Sequence, residues 1–186
     1  MSLHDDAVAV LSGWRGDDPA QESLRQDYLA VLAREPDAMR RSCLPDHLTA
    51  SALVVSHDGS SALLTLHTKA GMWLQTGGHC EDDDTRLADA ALREAREESG
   101  IRGLRIDPVP LRLSRHAVPF CGGDTAATTH HLDVQFLAVA PPGAQAVLSE
   151  ESDDLRWFGL DETVAPSDQD VHDLMAAART RLRGTP

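Results

Sequence analysis

Lysine is almost missing from this chain of 186 residues: of its 17 basic residues only Lys69 is a lysine, the others being arginine. That bias favours planar guanidinium forks over compact ammonium charges wherever carboxylates or phosphates must be held. Cysteine is also scarce. Cys43, Cys80 and Cys121 are odd in number and far apart, which speaks against a disulfide framework. No run approaches the ~20 apolar residues of a membrane span. The first residues, Met1-Ser2-Leu3-His4-Asp5-Asp6, lack the basic start and apolar stretch of a secretory signal. A soluble protein of the reducing cytoplasm, with no membrane partner, is the expectation. Basic charge is short as well, with 30 acidic residues giving a net charge of −13. Such a surface repels a phosphate backbone and disfavours polymeric nucleic acid as a partner. A small anionic substrate remains compatible if divalent cations stand between it and the carboxylates.

What is present is ordinary globular material, 41% hydrophobic and 25% charged, enough for one well-buried core and an appendage. The first 45 or so residues read as helical. A short helix spans about His4 to Trp14. A second is announced by Asp18-Pro19-Ala20-Gln21, an N-cap followed by proline at the first helical position and glutamine three residues after the cap. Leu24, Tyr28, Val31 and Leu32 then make one apolar face, and Glu35-Pro36 ends the helix. After Pro45 the pattern turns β-prone. Ala50 to Val55 and Ala62 to Leu66 flank a hairpin-like His57-Asp58-Gly59-Ser60 turn, and Met72-Trp73-Leu74 follows a turn at Lys69-Ala70-Gly71. Residues 86–98 are the strongest helix, with Leu87, Ala90, Ala91 and Ala95 on one face and Gly100 as the C-terminal cap. Val109 to Val118, Leu132 to Ala140 and Leu155 to Phe158 are further strands, and Asp168 begins a last helix over about 168–183. The expected organisation is a helical extension over 1–45 and one mixed α/β domain over 46–186.

Chemistry concentrates on the strongest helix. Glu94, Glu97 and Glu98 stand at i, i+3 and i+4, so their side chains share one face and are close enough to share a cation. They sit toward the C-terminal end, where the helix dipole disfavours negative charge. Oxygen donors in that density suit Mg²⁺ or Mn²⁺. An Arg/Glu-rich helix face is commonly just solvated; the context is what singles this one out. Gly77-Gly78-His79-Cys80-Glu81 and the acidic Asp82-Asp83-Asp84 lead straight into it. Two glycines permit close backbone approach, and Arg93 can fork onto a loop carboxylate.

Gly78, the acidic loop and Arg93-Glu94-Ala95-Arg96-Glu97-Glu98-Ser99-Gly100-Ile101 together resemble the Nudix box, G-x5-E-x7-R-E-U-x-E-E-x-G-U with U apolar, over residues 78–101. The second half matches at every defined position. In the first half, five residues on from Gly78 lies Asp84 instead of Glu, with eight residues before Arg93; counting back from Arg93 reaches Thr85. The loop is thus one residue longer, leaving Asp84 and Thr85 as alternative counterparts of the box glutamate. Thr76 stands where such proteins often have proline. More loosely, the resemblance runs from about Thr49 to Leu160. It implies an α/β/α sandwich around a mixed sheet, with a helical N-terminal extension and a C-terminal helix. It also implies a pyrophosphate-bond hydrolase acting on a nucleoside diphosphate linked to another moiety. Glu94, Glu97 and Glu98 would hold Mg²⁺ or Mn²⁺, with Arg93, Glu97 and Glu98 at the catalytic centre. The general base would be Glu97 or Glu98, with Glu150 and Glu151 as candidates outside the box. Gly78, His79 and His131 are the candidate substrate contacts. The rival reading is a Nudix-fold module that binds a nucleotide without cutting it.

His79, Cys80, His116, Cys121, His130 and His131 raise the question of zinc, but their separations match no compact Cys/His ligand spacing. Lining a substrate cleft is the better use for His116, His130 and His131. Trp73 and Trp157 read as core. The N-terminal helices are open to service as a lid, a homodimer interface or plain packing.

Overall fold

The computed structural model describes residues 1–118, 128–148 and 152–184. Its first two helices follow from their caps. In α1 (Leu3–Gly13) the Ser2 hydroxyl accepts from the Asp5 N–H while the Asp5 carboxylate accepts from the Ser2 N–H, a reciprocal box. In α2 (Pro19–Arg34) the Asp18 carboxylate accepts from the Gln21 N–H ahead of an apolar face that buries Tyr28, Val31 and Leu32.

Seven strands form one mixed sheet: β1 (Asp46–Val55), β2 (Ser61–His67), β3 (Met72–Leu74), β4 (Thr76–His79), β5 (Arg105–Ala117), β6 (His130–Val139) and β7 (Ser152–Gly159). The order is β3-β2-β1-β6-β5, with β4 also paired to β1 and β7 to β2. β1 and β6 run parallel over the whole length of β1, and the remaining pairs are antiparallel. Helix α3 (Leu87–Ser99) lies between β4 and β5 in the chain, and α4 (Gln169–Arg183) closes the described structure.

β1 is buried on both faces, so alternation along it sorts the two layers. Leu48, Ala50, Ala52 and Val54 join the core made with α1, α2 and α3. Leu53 and Val55 point the other way, into the core made with Val171, Leu174, Met175 and Ala178 of α4. This is the α/β/α sandwich expected from the sequence, with helices on both sides of a mixed sheet. The second face changes character along its length. Beyond Leu53 it turns polar, through Ser51, Thr49 and His47, and there Asp170 of α4 accepts from Gln135, the neighbour of Ser51 on β6.

Residues 1–45 share the first core. Leu11, Tyr28 and Leu32 are buried together with Ala91, Leu113 and Leu132. The Tyr28 hydroxyl donates to the Ser114 carbonyl at 2.6 Å. Gln21 exchanges two hydrogen bonds with the Leu113 backbone, at 2.8 and 3.0 Å, and so behaves like one more residue of a neighbouring strand. Since β5 ends the sheet, this contact covers an otherwise open edge.

Strand β4 takes in Gly77 and Gly78, a stretch to which the sequence pattern assigns no strand. Two adjacent glycines lower strand propensity, yet Gly77 is sterically required here and Gly78 leaves room for the Glu94 carboxylate. A Cβ on Gly77 would fall 2.3 Å from the Ser51 Cβ, and one on Gly78 would fall 2.8 Å from the Glu94 carboxylate. Close packing of β4 between β1 and α3 therefore overrides the local preference.

Candidate active site

Helix α3 carries the glutamates as its sequence predicts. Its small-residue face (Leu87, Ala88, Ala90, Ala91, Ala95) packs on the sheet. Gly100 ends it in the left-handed conformation, φ 65°, with its N–H on the Arg96 carbonyl. The helix start is less ordinary. Arg86 at the N-cap makes no side-chain cap; instead the buried Asp6 of α1 accepts from the Leu87 N–H at 2.8 Å.

Arg93 is the hub of the loop. Its Nη2 donates to Asp84 Oδ2 at 2.9 Å and to the His79 carbonyl at 3.0 Å, and its Nε reaches Asp84 Oδ1 at 3.4 Å. Its Nη1 donates to Glu94 at 2.9 Å and to Glu97 at 3.1 Å, and lies 3.7 Å from Glu81. Asp84 also accepts from the Glu81 N–H at 2.8 Å, and its side chain is only 9% exposed. Of the two alternatives left by the longer loop, Asp84 is thus the partner of Arg93, and Thr85 is exposed. The extra residue is absorbed in the turn before the helix. A carboxylate one methylene shorter still meets the guanidinium edge, so the longer loop leaves the arginine-to-loop lock in place. Burial alone would lower the Arg93 pKa, but the hydrogen bonds to Asp84 and Glu94 outweigh it and raise it.

One guanidinium here faces four carboxylates, Glu81, Asp84, Glu94 and Glu97, each within 3.7 Å, while Glu98 is half-buried on the same helix one residue beyond Glu97. That is a large local excess of negative charge on oxygen donors. The Glu94 carboxylate also fills the space that any side chain at position 78 would need. The donor set and its crowding fit a hard divalent cation.

The histidines separate into two groups. Register places His47 of β1 beside His131 of β6 and Thr49 opposite His79 of β4, so His47, His79 and His131 emerge on the sheet face away from α3. Their ring centroids are 4.8–5.2 Å apart, and one ligating atom from each lies within 4.8 Å of the others. His116 of β5 meets His131 edge to face, with ring centroids 5.4 Å apart, from the exposed side. Burial, and then the neighbouring imidazoles, lower His79 to about 4 and His131 to about 3, and burial also lowers His47. His130 points elsewhere and bonds to Asp46 at 3.0 Å. Cys80 packs against the α3 core, where burial raises its thiol to about 12. Cys121, Glu150 and Glu151 lie outside the described residues.

Next to the histidines the same face carries Asp133, fully enclosed, which accepts from Thr49 at 2.9 Å and from Ser51 at 2.6 Å. Burial raises its pKa against the opposing effect of those hydrogen bonds and of His116. Neither His47 nor Asp133 stood out in the sequence. The available signal was alternation: His47-Leu48-Thr49-Ala50-Ser51 and His131-Leu132-Asp133-Val134-Gln135 have the same polar/apolar beat.

A mixed-sheet sandwich with an arginine-locked loop and glutamates on the following helix defines a class of phosphate-bond hydrolases. The NUDIX domain model matches residues 45–178, most of the chain. Similar solved structures include a NUDIX-family hydrolase from Clostridium perfringens, 22% identical with a TM-score of 0.58, covering 73% of this chain and 97% of that one. An Ap4A hydrolase from C. elegans, in a binary complex, is 19% identical with a TM-score of 0.59 over 74% of this chain and 98% of that one. An ADP-ribose pyrophosphatase from Streptococcus suis is 18% identical with a TM-score of 0.54 over 75% of this chain and 93% of that one. At these identities the likeness is one of fold. No curated protein matches significantly. The chain belongs to the Nudix family and is a Nudix-type hydrolase. Among the described residues, no helix is long and apolar enough to cross a membrane.

Proposed function

We propose that the protein hydrolyses the diphosphate link of a small nucleoside diphosphate joined to another group, using Mg²⁺ or Mn²⁺ held by Glu94, Glu97 and Glu98. Nudix hydrolases generally use divalent metal ions. The observation that carries the reading is the crowding of four carboxylates around one arginine, with Glu94 seated against the bare backbone of Gly78. A bound divalent ion would supply Lewis-acid neutralisation of phosphate oxygens and a lowered pKa for the attacking water.

The remaining work falls to the chain. Arg93 holds Glu94 and Glu97 in fixed rotamers and ties the helix to the loop through Asp84 and the His79 carbonyl. Gly78 gives the Glu94 carboxylate its place and lets the substrate approach the backbone. The carboxylate of Glu97 or Glu98 takes the proton of the water that attacks phosphorus. His79 and His131 meet the substrate from the other face of the sheet. As neutral rings they offer hydrogen bonds without adding charge.

The test is hydrolysis of a panel of nucleoside triphosphates, sugar nucleotides, ADP-ribose and dinucleoside polyphosphates, with and without Mg²⁺ or Mn²⁺. Metal-dependent cleavage of one class is expected, and Glu98→Gln abolishes it while circular dichroism shows an intact fold. Unchanged turnover in that variant would sink the assignment.

A further inference from the structure

We propose that His47, His79 and His131 form a three-imidazole site for a borderline transition-metal dication, zinc in the first instance. It lies on the opposite sheet face from the glutamates and is separate from their Mg²⁺ or Mn²⁺. The argument does not depend on the hydrolase reading.

Three strands build the site, so its geometry is set by register and not by a flexible loop. β1 and β6 run side by side with His47 level with His131, and β4 adds His79 from the antiparallel side of β1. One ligating atom from each residue falls within 4.8 Å of the other two. Three nitrogens on a tetrahedral zinc at ~2.1 Å are about 3.4 Å apart, so the rings need to close by little more than an ångström.

The tautomer of His47 suits a ligand. The His47 Nδ1 is 3.0 Å from the Cys43 carbonyl, which can only accept, so Nδ1 carries the proton and the electron pair resides on Nε2. A backbone carbonyl on the far nitrogen is the usual way of orienting a metal-binding imidazole. The His131 Nε2 is buried and has no hydrogen-bond partner among the described residues. A buried acceptor or donor left in that condition is costly, and a shared cation removes the cost.

Imidazole donors select zinc, cobalt, nickel or copper, whereas carboxylates select magnesium or manganese. Zinc therefore fills the histidines at lower concentration than the carboxylates. Three protein ligands leave a fourth position for water or an anionic oxygen, the pattern of an accessible site and not of a closed structural one.

The experiment uses the whole chain, stripped by chelator and titrated with zinc chloride in magnesium-free buffer, with bound metal counted after dialysis. One zinc per chain is expected. His47→Ala and His131→Ala each lower the affinity at least a hundredfold, while Glu94→Gln and Glu98→Gln leave it unchanged. Cobalt gives a check that needs no substitution: the wild-type protein shows the intense visible bands of four-coordinate, nitrogen-bound Co²⁺. Weak six-coordinate bands overturn the proposal. So does zinc that persists in the histidine variants or disappears in the glutamate ones. Failure on any of these counts leaves the metal-dependent hydrolysis assay untouched, because that assay reads the glutamates.

Discussion

Replacing Asp84 with Asn and, separately, Thr85 with Ala tests which residue closes the longer loop. Asp84 makes a two-pronged contact with Arg93 at 2.9 and 3.4 Å and accepts from the Glu81 N–H at 2.8 Å. Asn keeps the size and one acceptor oxygen but loses the charge, and its amide hydrogens meet a guanidinium that can only donate. A hydrogen bond to a charged partner contributes roughly 1.5–3 kcal/mol, and this pair is largely shielded from water. The loss of about one such bond, with the short one to Nη2 counting most, predicts destabilisation of about 2–3 kcal/mol. For a chain of this length that lowers Tm by roughly 4–12 °C. Thr85→Ala is exposed and should fall within about 0.5 kcal/mol of wild type. Thermal unfolding followed by circular dichroism reads both variants, and the hydrolysis assay reads them again, because a released Arg93 no longer steadies Glu94 and Glu97. Equal effects from the two substitutions, or a harmless Asp84→Asn, refute the argument that Asp84 replaces the box glutamate.

Three further outcomes follow from the same geometry. Gly78→Ala puts a Cβ 2.8 Å from the Glu94 carboxylate, which is the flexible end of a side chain, so stability should change by less than about 1 kcal/mol. Turnover, by contrast, should fall about ten- to a hundredfold as the carboxylate is displaced; parallel melting and rate measurements check the split. In metal-free protein His79 and His131 are neutral when folded but titrate near the ordinary 6.5 when unfolded. Their contribution is therefore complete above about pH 6.5 and declines as pH falls toward 4 and then 3, by about 1–2 kcal/mol together after solvent screening. Urea unfolding at pH 7, 6 and 5 should show the decline begin before carboxylates titrate, and a flat series speaks against buried neutral rings. Tyr28→Phe removes the hydroxyl that donates to the Ser114 carbonyl and should cost about 1–2 kcal/mol; a neutral result means that this bond does not dock α2.

The elements most legible in the sequence are those whose local signals and tertiary roles agree. The cap at Asp18, the apolar faces of α2 and α4, and the small-residue face of α3 ending at Gly100 all say locally what the fold requires. The glutamate trio was legible because helical spacing alone places it. β4 was not, since only the third dimension shows that Ser51 leaves no room for a side chain at Gly77 and that Gly78 leaves room for the Glu94 carboxylate. The histidine cluster was hidden for a related reason. Its members are separated by tens of residues and meet through strand register, which no motif spacing encodes. The choice between Asp84 and Thr85 likewise turned on the course of one loop, which counting residues could not decide.

Asp6, far upstream of the family match, holds the first turn of α3 by accepting from the Leu87 N–H. The helix that ends in acidic side chains is thus moored at its start by α1, and the two should open together in local unfolding. Exchange of α1 amides with deuterium then becomes a remote reporter of the glutamates: whatever steadies their end of the helix slows exchange at the other. On the proposed function, loosening α1 would by reciprocity weaken cation binding at the carboxylates, although Asp6 is not among the proposed ligands.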